Sequence, residues 1–366
     1  MAKGPSWKAR PATIGLIAVC TLAFLITWVL VLVRADEPAR TALESLWVID
    51  DVEVLDRAGA LVAAKVWLDQ AWWRVGSAGL LHGSWLHLVL NCWGLWVVGQ
   101  WTEKVWGPWR QLVLFTLASL GGCLASLVWA EAPIVVGASA GIFGVAGALV
   151  VVRAWGRPEQ RETIHPVSAK VLGFWLGLWL VVGALLPLFG VSLLAQAGHA
   201  GGLAVGCLVG WMMSRSAEQR FMRIAAGVLV ALFFALGIPL GIEPSWRPNY
   251  HLFLGGELVD RGELELALES FEHALEAERD DAELHNFVAY SLAEGGVELE
   301  RARELIEVSL TAEPDNADYL DTLGWIQCKL GETEAGVESL EAAAEAAERE
   351  IPEIAEHLER CASVGE

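Results

Sequence analysis

Cysteine is scarce in this chain and nowhere paired: its 6 residues are dispersed and no two stand as Cys-x-x-Cys, so the usual signature of a thiolate metal centre or a dithiol redox site is missing. Cys20, Cys92, Cys123 and Cys207 fall in apolar stretches, where cysteine serves as a small hydrophobe. Cys328 and Cys361 fall in a polar region, where they can bond if that region meets an oxidising compartment. Basic charge is also short, 25 Lys and Arg against 45 Asp and Glu for a net −20, and no nucleic-acid partner is expected. The long apolar stretches lack the charged relay and the paired interrupted spans that substrate translocation favours, which argues against a transporter. No small-residue cleavage site follows the first apolar run, so that run is expected to stay as an anchor.

What is present is apolar. Of 366 residues, 55% are hydrophobic and 19 are Trp, with a mean hydropathy of +0.45, a composition suited to a chain solvated by lipid. Seven stretches, 13–33, 79–99, 111–130, 137–153, 170–190, 193–213 and 224–242, each approach the roughly 20 residues that cross the hydrocarbon as a helix. The fourth is short and glycine-rich and requires enclosure by its neighbours. Lys3, Lys8 and Arg10, then Lys104 and Arg110, then Arg153, Arg157, Arg161 and Lys170, then Arg215, Arg220 and Arg223 mark alternate ends of these stretches, while the long outer loop at 34–78 is acidic. The positive-inside rule places the tail 1–12 in the cytoplasm and, after an odd number of spans, the C-terminus outside a cell membrane. Trp28, Trp101, Trp106, Trp109, Trp155 and Trp211 lie near span ends, as an interfacial aromatic belt requires.

Beyond the membrane domain at 13–242, the region 243–366 changes character. From Asn249 onward there are 7 Lys and Arg against 31 Asp and Glu, a net −24, whereas the preceding residues hold 18 against 14, a net +4. So acidic a segment could be disordered, but it keeps a helical apolar period and repeats itself. Gly255, Ala289 and Gly324 recur at about 34 residues, as do Gly262, Gly296 and Gly331, and then Ala267, Ala302 and Gly336. Leu264-Glu265-Leu266-Ala267 with Phe271 and Ala274 matches Leu299-Glu300-Arg301-Ala302 with Ile306 and Ser309, and Pro314 closes the second unit. The pattern resembles tetratricopeptide repeats, about three of them with 351–362 as a capping helix; Arg279 stands where the first unit would have proline. A protein partner on this solenoid is the functional expectation, and a solvated spacer is the plain one.

Several polar residues interrupt the apolar stretches. Ser139 sits in Gly137-Ala138-Ser139-Ala140-Gly141-Ile142-Phe143-Gly144, His199 in Gly198-His199-Ala200-Gly201-Gly202, and His82, His87 and Asn91 in the second stretch. His87 and Asn91 are four apart and share one helix face. Unpaired polar groups at membrane depth are costly, so they should face a wet cavity or one another. Helix-to-helix hydrogen bonding accounts for His87 and Asn91, and small-residue packing for Ser139 and for the stripe Gly198, Gly202 and Gly206. The charge-derived topology nevertheless brings all four polar groups to the outer half of the membrane. A nucleophile, a base and donors for a developing oxyanion are what acyl transfer needs at one place.

These motifs resemble the rhomboid family of intramembrane serine proteases. The resemblance covers residues 70–210 and rests on Gly137-Ala138-Ser139, on His199-Ala200-Gly201-Gly202-Leu203, on His82, His87 and Asn91, on Trp73-Arg74 in the outer loop, and on Glu103-x-x-x-Gly107, expected at the start of the third span. It implies an all-α polytopic bundle, a six-helix core plus a seventh span, ahead of the repeat solenoid. It also implies a catalytic dyad of Ser139 and His199 with no third carboxylate and no cofactor or metal, the Ser139 N–H, His87 and Asn91 at the oxyanion, and Phe143 stacked on the imidazole. Gly137, Gly198, Gly202, His82, Trp73, Arg74 and Glu103 are expected to support the site. The implied substrates are transmembrane proteins cut near the outer face, in contact with membrane lipid. The family has glycine after the serine where this chain has Ala140, and a methyl there is expected to crowd the oxyanion donors. The competing reading is a catalytically silent relative that binds membrane helices and scaffolds partners through its repeats.

Overall fold

The computed structural model describes residues 10–35, 38–45, 52–130, 132–185, 196–216, 219–237, 243–347 and 351–364. The chain divides into two compact units, Met1–Pro244 and Ser245–Glu366. The first contains α1 (Pro11–Arg34), α2 (Pro38–Glu44), α3 (Val52–Ala58), α4 (Ala63–Asp69), α5 (Arg74–Ser77), α6 (Trp85–Trp106), α7 (Pro108–Trp129), α8 (Ser139–Trp155), α9 (Pro158–Thr163), α10 (Ala169–Leu185), α11 (Gln196–Ser214) and α12 (Arg220–Gly237). Among the described residues, α1 and α7 are long and apolar enough to cross a membrane, and Ser139–Trp155, Ala169–Val182 and Phe221–Val230 are shorter apolar stretches. The expected ends of the fifth and seventh stretches, 186–190 and 238–242, lie outside the described residues, as do Lys3, Lys8 and the start of the sixth.

Helix boundaries follow local chemistry. Pro11 and Pro108 stand in the first turns of α1 and α7, where a missing N–H costs nothing. The second helix starts at Trp85, later than hydropathy indicates, because the Ser84 hydroxyl caps it by accepting from the His87 backbone N–H at 3.0 Å. His82 therefore precedes the helix. Glu103 lies near the C-terminal end of α6, not at the start of the next helix as its motif suggested. Its carboxylate accepts from the N–H groups of Ala12 and Thr13 at 2.9 Å each and from the Thr13 hydroxyl at 2.7 Å. A buried anion thus caps the positive end of α1 and ties it to α6. Replacing Glu103 by alanine should lower stability by about 2–3 kcal/mol, read as a fall in melting temperature in detergent; Glu103→Gln, which keeps an acceptor, should lose less, and an unshifted Glu103→Ala melt would deny the cap its role.

Helix α8 is packed against α6, α7, α10 and α11, and its closest contacts come from missing side chains. A Cβ on Gly206 would overlap the backbone of Gly144, one on Gly202 would overlap the Ala140 carbonyl, and one on Gly201 would stand 2.8 Å from the Gly121 carbonyl oxygen. Small residues here let three helices touch backbone to backbone, the contact that holds apolar helices together where lipid is as apolar as leucine.

The segment between α1 and α6, a loop by sequence, is organised by short helices around Arg74. The Arg74 guanidinium is buried, donates to the carbonyls of Asp56 and Ala60 at 2.9 and 2.8 Å, and pairs with the Asp56 carboxylate at 2.9 Å. Its five donors suit it to tying several chain segments at once. Leu61 and Val135 exchange backbone hydrogen bonds of 3.0 and 2.9 Å as an isolated antiparallel bridge, and Gly137 N–H donates to Ala78 O at 3.0 Å. The stretch that leads into Ser139 is thus held by the segment that Arg74 organises.

The second unit contains α13 (Pro248–Asp260), α14 (Leu264–Ala277), α15 (Ala282–Gly295), α16 (Leu299–Ala312), α17 (Ala317–Lys329), α18 (Thr333–Ala346) and α19 (Pro352–Val364). Gly262, Gly296 and Gly331 join α13 to α14, α15 to α16 and α17 to α18 with φ of +73°, +66° and +84°, a left-handed turn that favours glycine. Gly255 makes room for the Phe271 ring, and Gly324 for Leu340 and the Gly336 carbonyl. Three helix pairs result, α13 with α14, α15 with α16 and α17 with α18, the first and third with a glycine where the two members meet.

Helix α19 is fastened by polar groups and by a disulfide. His357 Nδ1 lies 2.9 Å from Asp321, its ring stacks on Trp325 at 4.7 Å, and Cys328 is bonded to Cys361. The Tyr290 hydroxyl donates to Glu353 at 2.6 Å; burial, with the Glu353 carboxylate second, holds that hydroxyl's pKa far above its ordinary value, so it stays a donor at any physiological pH. The disulfide closes a separation of 33 residues, a constraint of about 3–4 kcal/mol by chain entropy. In the whole protein, a reductant should speed amide exchange in α19 by on the order of 100-fold; unchanged protection would mean that the polar contacts suffice.

Candidate active site

Ser139 is the first residue of α8 and His199 lies in the first turn of α11. Gly137, at φ +127°, occupies backbone space that other residues rarely adopt, and it turns the chain so that Ser139 opens the helix at the mouth of a cavity. Because Gly202 and Gly206 bring α11 against α8 at backbone distance, the imidazole reaches the hydroxyl: Nε2 of His199 lies 2.8 Å from Oγ of Ser139, a hydrogen bond whose direction the tautomer sets. Phe143, one turn along α8 from Ser139, stacks on the imidazole with ring centroids 4.5 Å apart and planes 8° from parallel. Nδ1 of His199 is buried without a hydrogen-bond partner among the described residues, so ring orientation comes from stacking and packing and not from a carboxylate.

The cavity is walled by Ala78, His87, Gly122, Ser126, Val136 and Ala140 around the Ser139–His199 pair. His87 comes from the first turn of α6; a Cβ on Gly137 would stand 2.8 Å from its Nε2 and 3.8 Å from Oγ of Ser139, which places that imidazole beside the hydroxyl. The His82 ring meets it edge to face at 5.1 Å and is buried. Asn91 is also buried, and its amide donates to the His87 carbonyl at 2.9 Å, which spends one of its two N–H groups on its own helix. Trp73 is 57% exposed and carries the Arg74 guanidinium 5.0 Å from its ring centroid. Arg74 and Glu103 lie away from the cavity, Arg74 holding the outer segment and Glu103 the start of α1. Gly198 places its carbonyl against Gly122 of α7.

The backbone N–H groups of Ser139, Ala140 and Gly141 open α8; the first intrahelical bond of the helix is Ile142 N–H to Ala138 O, at 3.1 Å. Such leading groups have no acceptor within the helix and lie at its positive end, suited to an anion. No group of three His, Cys, Asp or Glu among the described residues is placed to hold a metal.

Residues 69–216 match the family model described as Rhomboid domain. The match supports the rhomboid family. Rhomboid protease GluP of Bacillus subtilis (strain 168) is 28% identical over 251 residues, 68% of this chain and 47% of that protein. Rhomboid protease AarA of Providencia stuartii is 28% identical over 157 residues, 38% of this chain and 54% of the relative. Rhomboid protease GlpG of Pectobacterium atrosepticum is 31% identical over 137 residues, 37% and 47% of the two chains. The chain spans about half the length of each of these curated relatives. The rhomboid match starts just before α5 and closes just after α11, so it contains Ser139, His199, His87 and Asn91 and excludes α1 and the second unit.

Sequence reasoning did not single out Ala78, Gly122, Ser126 or Val136 as cavity residues. Gly122 stands in a Gly121-Gly122 pair, a visible mark of close approach. The other three carry no mark, because only the fold turns them toward Ser139.

Proposed function

We propose that this chain is an intramembrane serine endopeptidase that cuts transmembrane proteins near the outer membrane face, with Ser139 as nucleophile and His199 as its base. The observation that carries the reading is the 2.8 Å approach of His199 Nε2 to Ser139 Oγ in a cavity entered by a helix N-terminus. Ser139 Oγ attacks the substrate carbonyl carbon as its proton passes to His199 Nε2, and the carbonyl π electrons move to oxygen. The Ser139 N–H, His87 and the remaining N–H of Asn91 donate to that oxyanion. Collapse breaks the C–N bond, the amine leaves with the proton from His199, and an acyl-Ser139 ester remains. Water then attacks the ester, gives one proton to His199 and releases the acid, and Ser139 recovers its proton. A helical substrate must unwind locally, because its hydrogen-bonded backbone hides the carbonyls.

The membrane setting is supported by rows of exposed apolar side chains on α1, including Leu22, Ile26 and Val33, and on α10, including Phe174, Trp175 and Trp179, more apolar surface than water tolerates. We read the second unit as tetratricopeptide-like repeats exported from the cytoplasm, with the N-terminus inside. The Cys328–Cys361 bond fits an oxidising compartment, and an acidic solenoid beside an anionic lipid surface keeps free to meet a protein partner.

The deciding experiment is labelling of the purified protein by a fluorophosphonate, with Ser139→Ala as control. A wild type that takes no label is the silent relative instead. His87→Ala and Asn91→Ala should each slow cleavage about 100- to 1,000-fold while Ser139 still labels; wild-type turnover by folded Asn91→Ala would remove Asn91 from the oxyanion. For topology, a tag fused after Glu366 should be digested by protease added to spheroplasts, and shielding of that tag would place the second unit inside.

A further inference from the structure

Gly122 of α7 faces both helices that carry the dyad. A Cβ built on it would overlap the methyl of Ala140, the residue after Ser139, and would stand 2.6 Å from the carbonyl oxygen of Gly198, the residue before His199. Ala140 is buried, and its carbonyl is what a Cβ on Gly202 would strike. The two chain neighbours of the catalytic residues are therefore in van der Waals contact through one glycine. We propose that Gly122 and Ala140 form an interlocked pair that spaces the dyad: the Ala140 methyl fills the volume a side chain at 122 would take, and Gly122 sets how closely Ser139 and His199 approach. The proposal rests on reading those two residues as nucleophile and base.

The physical reason is that neither side of this contact can yield separately. The methyl of Ala140 has no rotamer to change, and the Gly198 carbonyl belongs to a helix already in backbone contact with α8 through Gly202 and Gly206. Extra volume at 122 must move a helix, and a displacement of order 1 Å at a reacting pair costs about 100-fold in rate. The same contact accounts for Ala140 where the family has glycine. Its methyl is directed at Gly122, in the wall of the cavity that holds the pair, so the absent side chain at 122 is what leaves room for it. Gly122 is accordingly a positioning residue.

The test is a double-mutant cycle on the full-length protein in detergent, with Gly122→Ala, Ala140→Gly and the double variant. Fluorophosphonate labelling rate, kcat and KM on a model transmembrane substrate, and melting temperature are read for each. Gly122→Ala should lower labelling and kcat about 100-fold with KM changed less than about threefold. Ala140→Gly in that background should restore part of the loss, about threefold or more, because it removes the methyl overlap while the Gly198 carbonyl must still be displaced. Wild-type rates in Gly122→Ala, or no recovery in the double variant, overturn the pairing. If Gly122→Ala does not fold, the double variant decides: folded and labelled is expected, and unfolded overturns. Absence of label in the wild type would instead sink the protease reading, and the melting temperatures alone would then judge the pair, strict additivity overturning it.

Discussion

Ser139→Ala and His199→Ala are each expected to lower cleavage of a model transmembrane substrate by at least about ten-thousand-fold, and the double variant should be no worse than either. The two side chains share one hydrogen bond of 2.8 Å, and Nδ1 of His199 has no hydrogen-bond partner among the described residues, so on the proposed mechanism either loss removes the whole proton path. Gel-based cleavage with purified variants checks this. Substantial turnover by His199→Ala, or a double variant slower than both singles, would show that the residues do not act as a unit. Phe143→Ala should have a smaller effect on the same path, since it removes the stacked ring and leaves the bond partners.

Gly206→Ala is expected to be the most damaging single-methyl change in the first unit. Its Cβ would overlap Cα, C and O of Gly144, backbone on both sides, and no rotamer change can relieve it. Overpacking of this kind costs about 1–3 kcal/mol where side chains can give and more where they cannot, so the melting temperature should fall sharply and fluorophosphonate labelling should be lost with it. Gly177→Ala in α10 is the control, because a Cβ there meets nothing within 4 Å and alanine is the better helix former. Equal melting of the two variants would mean that α8 and α11 are not locked by this crossing.

Long apolar runs are local signals, and they sufficed to place helices near Pro11–Arg34, Pro108–Trp129 and Gln196–Ser214; the recurrence of Gly262, Gly296 and Gly331 was visible too, but that they form left-handed turns came from the structure. Hydropathy averages over a window, which is why it set the second helix several residues early: the Ser84 cap that starts it is a single hydrogen bond. The candidate chemistry was also legible, since serine and histidine set among glycines in apolar stretches stand out residue by residue.

The sequence by itself determined where the long apolar stretches fall, how charge divides between the two units, and which polar residues have to find company in an apolar setting. Only the tertiary structure decided that company. It set Glu103 on the N-terminus of α1, 90 residues away, turned the Ala140 methyl toward Gly122, and joined Cys328 to Cys361. Each of these depends on how far apart two helices lie and how they are rotated, and that is fixed by where backbones can touch. Periodicity names the face that packs; only the sum of contacts from several helices selects the partner, the depth and the distance.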